Sequence, residues 1–140
     1  MLKRLALAVA LLGLAPAMAV AHGPSRQKVT ETIEINAPAD KVWAVVGNFQ
    51  DMGWHPAFTK TEGTGGNDPA SATRKLTLGS GATIDEKLIK YNAEGKTLSY
   101  EITNVDAKVV PVSNYSSTIT VTGDASKSTV EWKGAFYRGY

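Results

Sequence analysis

Apolar and polar residues alternate along most of the chain from residue 28 onward, which is the pattern of strands that bury one face. The first stretch, residues 28–36, places Val29, Glu31, Ile33 and Ile35 on one face. Six further alternating stretches follow a short helical segment. The pattern therefore predicts an α+β fold with a curved, seven-stranded antiparallel sheet.

The segment between the first and second strands predicts two short helices. Pro38 and Asp40 favour a helix start, because proline is tolerated in the first turn and an acidic residue suits the positive end of the helix dipole. Gly47 ends this helix, and residues 49–54 allow one further helical turn before Pro56. Both helices are expected to pack on the sheet.

The third and fourth strands form a predicted hairpin whose apolar residues must share one face. A three-residue loop would place Leu76 opposite Glu86 and Arg74 opposite Leu88. Arg74 and Glu86 then become diagonal neighbours on the apolar face. This register predicts a carboxylate and a guanidinium inside the sheet.

The N-terminal residues have the features of a signal peptide. Two basic residues precede an apolar block at 5–14, which is about half of the roughly twenty residues needed to span a bilayer. Small residues follow, so cleavage is expected after Ala19 or Ala21, leaving an exported chain with no membrane span. The expected divisions are a signal peptide at 1–21, a flexible lead at 22–27 and one domain at 28–140.

Charge and composition exclude several classes of protein. The chain has 15 Lys and Arg against 13 Asp and Glu, and cleavage removes Lys3 and Arg4, which leaves a nearly neutral domain without a basic block. A nucleic-acid partner is therefore not expected. The chain has no cysteine, so its core rather than disulfides must hold it together. Neither a phosphate-binding loop nor a nucleophile elbow is present in the sequence.

The predicted order of elements resembles the helix-grip fold of the START and Bet v 1-like (SRPBCC) superfamily, particularly its polyketide-cyclase-like branch. Residues 41–43 (KVW), 54–56 (WHP) and the strand at 86–91 carry this resemblance. A narrower resemblance is to the MxaD-type periplasmic proteins of methanol-oxidation clusters. It rests on five segments: 21–24 (AHGP), 62–67 (EGTGGN), 76–78 (LTL), 111–113 (PVS) and 130–134 (VEWKG).

The resemblance implies a small, non-catalytic periplasmic accessory protein without a cofactor. Such a protein assists a quinoprotein methanol dehydrogenase in its interaction with its cytochrome c electron acceptor. Members of the superfamily end in a long helix that lies across the concave sheet, whereas this sequence stops at Tyr140, just after the last predicted strand. The C-terminal grip helix is therefore expected to be absent, and the domain to be C-terminally incomplete.

Two other functions stay open at this point. One is a periplasmic carrier that holds an apolar or quinone-like small molecule in the cavity, with Arg74 and Glu86 as polar anchors. The other is a polyketide cyclase-like or aromatase-like enzyme that uses His55 or Glu86 as an acid or base. The alternatives are purely structural roles: a turn histidine for His55 and an ion pair within the fold for Arg74 and Glu86.

The candidate cavity residues lie on the predicted apolar faces and in the segment after the first helix. Each aromatic residue among them also suits simple core packing. Substitution of Glu86 by Gln is predicted to change ligand or partner binding more than folding. The candidates are Trp54, His55, Arg74, Leu76, Glu86, Leu88, Tyr100, Tyr115, Trp132 and Phe136.

His22 is a candidate metal ligand, and its role depends on the cleavage site. Cleavage after Ala21 would make it the amino-terminal residue, able to chelate copper through its amine and ring. Cleavage after Ala19 would leave the sequence Val-Ala-His, which has the spacing of amino-terminal copper or nickel sites. The alternative is an uncoordinated tail, and no other metal site is predicted.

Overall fold

The computed structural model describes residues 25–138, which form one α-helix and seven β-strands. The predicted signal peptide and His22 lie outside these residues. The α+β class and the seven-stranded antiparallel sheet are confirmed. The elements are β1 (Gln27–Ile35), α1 (Ala39–Val46), β2 (Phe58–Thr64), β3 (Thr73–Leu78), β4 (Thr83–Asn92), β5 (Thr97–Val105), β6 (Val112–Gly123) and β7 (Ser128–Arg138).

The sheet has the strand order β1-β7-β6-β5-β4-β3-β2, so β1 and β2 are its two edges. The chain starts at one edge, passes through α1 and a run of turns to the other edge, and then returns strand by strand until β7 pairs with β1. Irregularities in register interrupt β2, β4 and β6. Such bulges bend strands, and the sheet curves around α1 and the turns.

The start of β1 lies inside the predicted flexible lead. The strand begins at Gln27, and Arg26 before it is held against the sheet. Its Nη2 atom donates to Ser116 Oγ at 3.1 Å and to the Ala135 carbonyl at 3.4 Å, and its guanidinium lies 5.4 Å from the ring centroid of Tyr137. Arg26 therefore belongs to the outer face of the sheet.

The prediction of a second helix is wrong, because residues 47–57 form turns. The Oδ1 atom of Asn48 accepts the N–H of Gln50 at 3.1 Å, and Oδ1 of Asp51 accepts the N–H of Gly53 at 2.7 Å. Local side-chain bonds of this kind compete with helical hydrogen bonds. The segment still packs on the sheet as expected, since Phe49 within it is fully buried.

The predicted register of the β3–β4 hairpin is wrong by two residues. Arg74 lies directly opposite Glu86, and Leu76 lies opposite Ile84. The connection between paired positions takes five residues, 78–82, and backbone hydrogen bonds join residue 78 to residues 81 and 82. A shift of two residues preserves the face of every side chain. Leu76 and Glu86 therefore both face inward, as the alternation predicted.

Two groups of buried residues form the core on the inner face. The larger group joins one face of α1, which buries Ala39, Val42 and Val46, to the central strands. The smaller group contains Met52, Leu76 and Ile84. Trp54 and Trp132 pack against both groups and so connect the core to the β1–β7 edge.

Candidate functional site

An open cleft of about 290 Å³ lies on the inner face, between β1, β6, β7 and the turns that follow α1. Its volume is close to the lower end of the range for ligand pockets, about 300–1,000 Å³, so it suits one small molecule. Most of its wall is apolar. Seven residues line it: Val29, Glu31, His55, Tyr115, Trp132, Gly134 and Phe136.

The pairing of β1 with β7 brings most of these residues together. Glu31 lies opposite Trp132, and Val29 lies opposite Gly134. Alternate residues of a strand point to the same face, so Phe136 continues the β7 side of the same wall. Because β1 is an edge strand, its inward side chains stay accessible, and Val29 is 46% exposed.

A bulge in β6 aims Tyr115 at the cleft. The β6–β7 register shifts after Ser113, and Asn114 has a φ of +52°, a conformation that asparagine tolerates better than most residues. The ring of Tyr115 stacks on Phe136 with centroids 6.0 Å apart. A Cβ atom at Gly134 would lie only 3.2 Å from the Tyr115 hydroxyl oxygen, so glycine leaves the room that this ring needs.

Ser117 holds the side chains of Trp132 and Tyr115 in place through hydrogen bonds. Its Oγ atom accepts the Nε1–H of Trp132 at 2.6 Å and donates to the Lys133 carbonyl at 3.1 Å. The hydroxyl oxygen of Tyr115 lies 3.2 Å from the same atom. Since the single proton of Ser117 is already used, Tyr115 donates here and keeps its oxygen lone pairs for another partner.

His55 forms the wall opposite the sheet. Its ring stands nearly perpendicular to Trp132, with centroids 5.6 Å apart, and packs on Phe58 at 5.0 Å. Its Nδ1 atom accepts the N–H of Ala57 at 3.1 Å, so the neutral ring carries its proton on Nε2. Burial lowers the pKa of His55, and the charge of Glu31 partly opposes this. Near neutral pH the ring is therefore an uncharged hydrogen-bond donor.

Arg74 and Glu86 form a second polar group on the inner face, deep in the core. Arg74 Nε donates to Glu86 Oε1 at 2.7 Å, while Nη2 lies 2.6 Å from the same oxygen without the alignment of a hydrogen bond. Arg74 Nη1 donates to the Phe49 carbonyl at 2.9 Å. The guanidinium lies between two rings, 4.1 Å from the centroid of Phe49 and 4.8 Å from that of Tyr100. The guanidinium is thus enclosed by the Glu86 carboxylate, the Phe49 carbonyl and the two rings.

Burial also governs the titration of this central group. It raises the pKa of Glu86, and Arg74 opposes the rise through its charge and its hydrogen bond. Burial, followed by the nearby Glu86 and Tyr115, raises the pKa of Tyr100 well above the usual tyrosine value. Tyr100 therefore stays protonated and serves as a core ring rather than an acid.

The ten residues predicted for the cavity fall into two groups. One group lines or borders the cleft: Trp54, His55, Tyr115, Trp132 and Phe136. The other lies in the core: Arg74, Leu76, Glu86, Leu88 and Tyr100, none of them more than 4% exposed. Neither Arg74 nor Glu86 lines the cleft, so their placement favours the structural ion pair over the ligand anchor.

Sequence reasoning did not identify Val29, Glu31 and Gly134 as lining residues, nor Ser117 as the hydrogen-bonding centre. Glu31 did carry a signal, because it is the one charged residue on the otherwise apolar face of residues 28–36. Ser117 and Gly134 carried none. Their roles depend on their being paired across β6 and β7.

No group of three or more His, Cys, Asp or Glu side chains suited to a metal ion occurs within residues 25–138. His22 lies outside that range, and its binding of copper or nickel stays a prediction. Over the same range, none of the helical structure is long and apolar enough to cross a membrane.

Solved structures of other proteins share this fold. An uncharacterized protein from Bacillus thuringiensis is 30% identical, with a TM-score of 0.71 over 81% of this chain and 80% of that chain. XoxI from Bacillus cereus is also 30% identical, with a TM-score of 0.71 over 80% of this chain and 76% of that one. Norcoclaurine synthase from Thalictrum flavum is 18% identical, with a TM-score of 0.64 over 82% and 71%, and this likeness concerns the fold alone.

These likenesses confirm the predicted helix-grip fold. No curated protein sequence matches the chain. The narrower MxaD-type resemblance stays a prediction. At the family level, however, the profile described as polyketide cyclase / dehydrase and lipid transport matches residues 26–139, nearly all of the part that the structure describes. Sequence profile and fold agree, and the chain belongs to the polyketide cyclase / dehydrase and lipid transport family.

Proposed function

We propose that this protein binds a small, planar and largely apolar molecule in the cleft beside β1. The observation that carries the proposal is the set of aromatic rings held around one open space: His55, Tyr115, Trp132 and Phe136. Hydrogen bonds and stacking fix their positions, so the site is already formed before a ligand enters. Preformed apolar clefts with a few polar groups are typical ligand sites.

The two residues predicted as an acid or base are poorly placed for catalysis. A general base needs a free lone pair within reach of the substrate. The lone pair of neutral His55 is at Nδ1, where it already accepts the N–H of Ala57. Glu86, the other predicted acid or base, is 4% exposed and bound by Arg74. We therefore propose a binding protein and rank the cyclase-like enzyme below it.

A cleft-filling substitution tests this proposal. Val29→Trp places a large ring in the cleft from an exposed edge position, while Ile33→Trp adds the same ring on the same face of β1 outside the lining residues. Titration with phenethyl alcohol, followed by two-dimensional NMR, should shift the signals of cleft residues in the wild type. Val29→Trp should weaken binding at least about tenfold, and Ile33→Trp should leave it unchanged. Equal binding by Val29→Trp would overturn the proposal.

We further propose a biological setting for this binding: a periplasmic accessory protein of methanol oxidation, which assists a quinoprotein methanol dehydrogenase and its cytochrome c. The support for this setting is the MxaD-type resemblance in the five quoted segments and the signal-peptide pattern of residues 1–21. Affinity capture from periplasmic extract should recover the dehydrogenase or the cytochrome. A capture that recovers neither, from cells that are oxidising methanol, would contradict the setting but not the ligand cleft.

A further inference from the structure

We infer that the cleft selects organic cations: aromatic molecules that carry a protonated amine, with the ammonium group beside Glu31 and the ring against Trp132 and Phe136. The inference rests on the proposed function and narrows its ligand class. It comes from the charge and hydrogen-bonding character of the lining residues.

The charge of the lining favours a cationic ligand. Glu31 is the only carboxylate among the lining residues, neither lysine nor arginine lines the cleft, and His55 is uncharged near neutral pH. Within residues 25–138, no ion pair or hydrogen bond engages the side chain of Glu31. By contrast, Glu34 on the opposite face of the same strand lies 3.7 Å from Lys127. The cleft therefore offers an uncompensated negative charge to a ligand.

Two arginines at the ends of β1 and β7, Arg26 and Arg138, do not pair with Glu31. Arg26 bonds to Ser116 and Ala135 on the outer face of the sheet. Arg138 follows Phe136 on the inner face, but it is six residues beyond Trp132, the partner of Glu31. At about 3.4 Å per residue, that separation is roughly 20 Å, which exceeds the Debye length of about 8 Å at physiological salt. Neither arginine is therefore placed to pair with Glu31.

The balance of side-chain donors and acceptors also favours a cation. Two side chains in the lining can accept a hydrogen bond from a ligand: the Glu31 carboxylate and the Tyr115 oxygen, whose own proton is directed to Ser117. One side chain can donate, through the Nε2–H of His55. An alkylammonium group has three donors and no acceptor, which matches this surplus of acceptors. Trp132, which lies opposite Glu31, adds the attraction that an aromatic ring has for a nearby cation.

A matched set of three probes tests the inference: phenethylamine, phenethyl alcohol and phenylacetate share a ring and differ in charge. NMR titration of the wild type should give a dissociation constant for phenethylamine about tenfold lower than for the alcohol, with phenylacetate weakest. Glu31→Gln should bring the amine and the alcohol to within about twofold of each other. Glu34→Gln removes the same charge from the other face and should leave the preference unchanged.

The possible results separate the two proposals. If the alcohol binds in the cleft and the amine gains nothing, or if Glu31→Gln keeps the tenfold preference, the inference of cation selection is overturned and the ligand cleft stands. If none of the three probes shifts the cleft residues, both proposals are overturned. Melting temperatures of Glu31→Gln and Glu34→Gln, measured alongside, should match that of the wild type and exclude unfolding as the cause.

Discussion

Glu31 and Glu86 face the same side of one sheet, yet their surroundings are opposite. Glu86 lies on the interior strand β4, is 4% exposed and is bound by Arg74 at 2.7 Å. Glu31 lies on the edge strand β1, is exposed, and has no ion-pair partner among residues 25–138. Position within the sheet, rather than residue type, decides which carboxylate supports the fold and which one is open to a ligand.

The physical reason is the cost of removing a charge from water. A buried carboxylate destabilises a protein unless an opposite charge and hydrogen bonds compensate it, and here the neighbouring strand β3 supplies Arg74 opposite Glu86. A carboxylate at the edge keeps its hydration and needs no partner. The comparison predicts that the same substitution, Glu to Gln, has very different effects at the two positions.

The largest expected effect is at the central pair. Glu86→Gln leaves the guanidinium of Arg74 buried without an opposite charge, and breaking one partner of a buried pair typically costs about 3–5 kcal/mol. Urea unfolding followed by circular dichroism should show a loss of free energy of unfolding in this range. Binding of phenethyl alcohol, measured where the variant is folded, should be nearly unchanged, because Glu86 does not line the cleft. This expectation reverses the one drawn from the sequence, in which Glu86 affected binding more than folding.

A double variant provides the control for the central pair. Arg74→Met combined with Glu86→Leu removes both charges and should recover part of the stability that either single change loses. If Glu86→Gln costs less than about 1 kcal/mol and weakens ligand binding instead, the pair is a ligand anchor and the distinction between centre and edge is lost.

A smaller effect is expected at His55, which lies between the core and the open cleft. Its folded pKa is below the usual value of 6.5, so the unfolded chain takes up the proton first as the pH falls. The free energy of unfolding should therefore decrease as the pH drops below about 6.5, until the folded protein is protonated as well. His55→Asn keeps an acceptor for the Ala57 N–H and does not titrate.

The measurement is the difference in unfolding free energy between the wild type and His55→Asn across this pH range. The wild type should lose stability relative to the variant as the solution becomes more acidic. A constant difference would show that the His55 ring is as accessible to protons in the folded protein as in the unfolded chain. In that case the cleft would be more hydrated than its aromatic wall indicates.

Much of the fold could be predicted from the sequence, because alternation reports directly which residues share a face. That reasoning placed Leu76, Glu86, Trp132 and Phe136 on inner faces. It failed where short-range bonds decide the structure, as at Asn48, whose side chain favours a turn over the predicted helix. It also missed the register of the hairpin, since a shift of two residues preserves the alternation.

The division of the candidate residues between core and cleft could not be predicted, because it depends on strand order. Alternation does not indicate that β1 pairs with β7, nearly the whole length of the domain away in sequence. Without that pairing, the sequence does not show that Glu31 lies opposite Trp132. Nor does it show that Arg74 lies in the core rather than in the aromatic wall of the cleft. The sequence thus indicated the side chains of the inner face but not their positions across it.

The smallest expected effect is on the stability of Glu31→Gln. The substitution leaves the backbone pairing of β1 with β7 intact and removes a charge that no described residue compensates. Exposed substitutions of this kind usually change the free energy of unfolding by less than about 0.5 kcal/mol. Urea unfolding of Glu31→Gln beside Glu86→Gln would measure the contrast directly. A loss above about 1 kcal/mol at Glu31 would mean that this carboxylate has a structural role. Glu31 on the edge strand β1 would then stabilise the fold rather than bind a ligand.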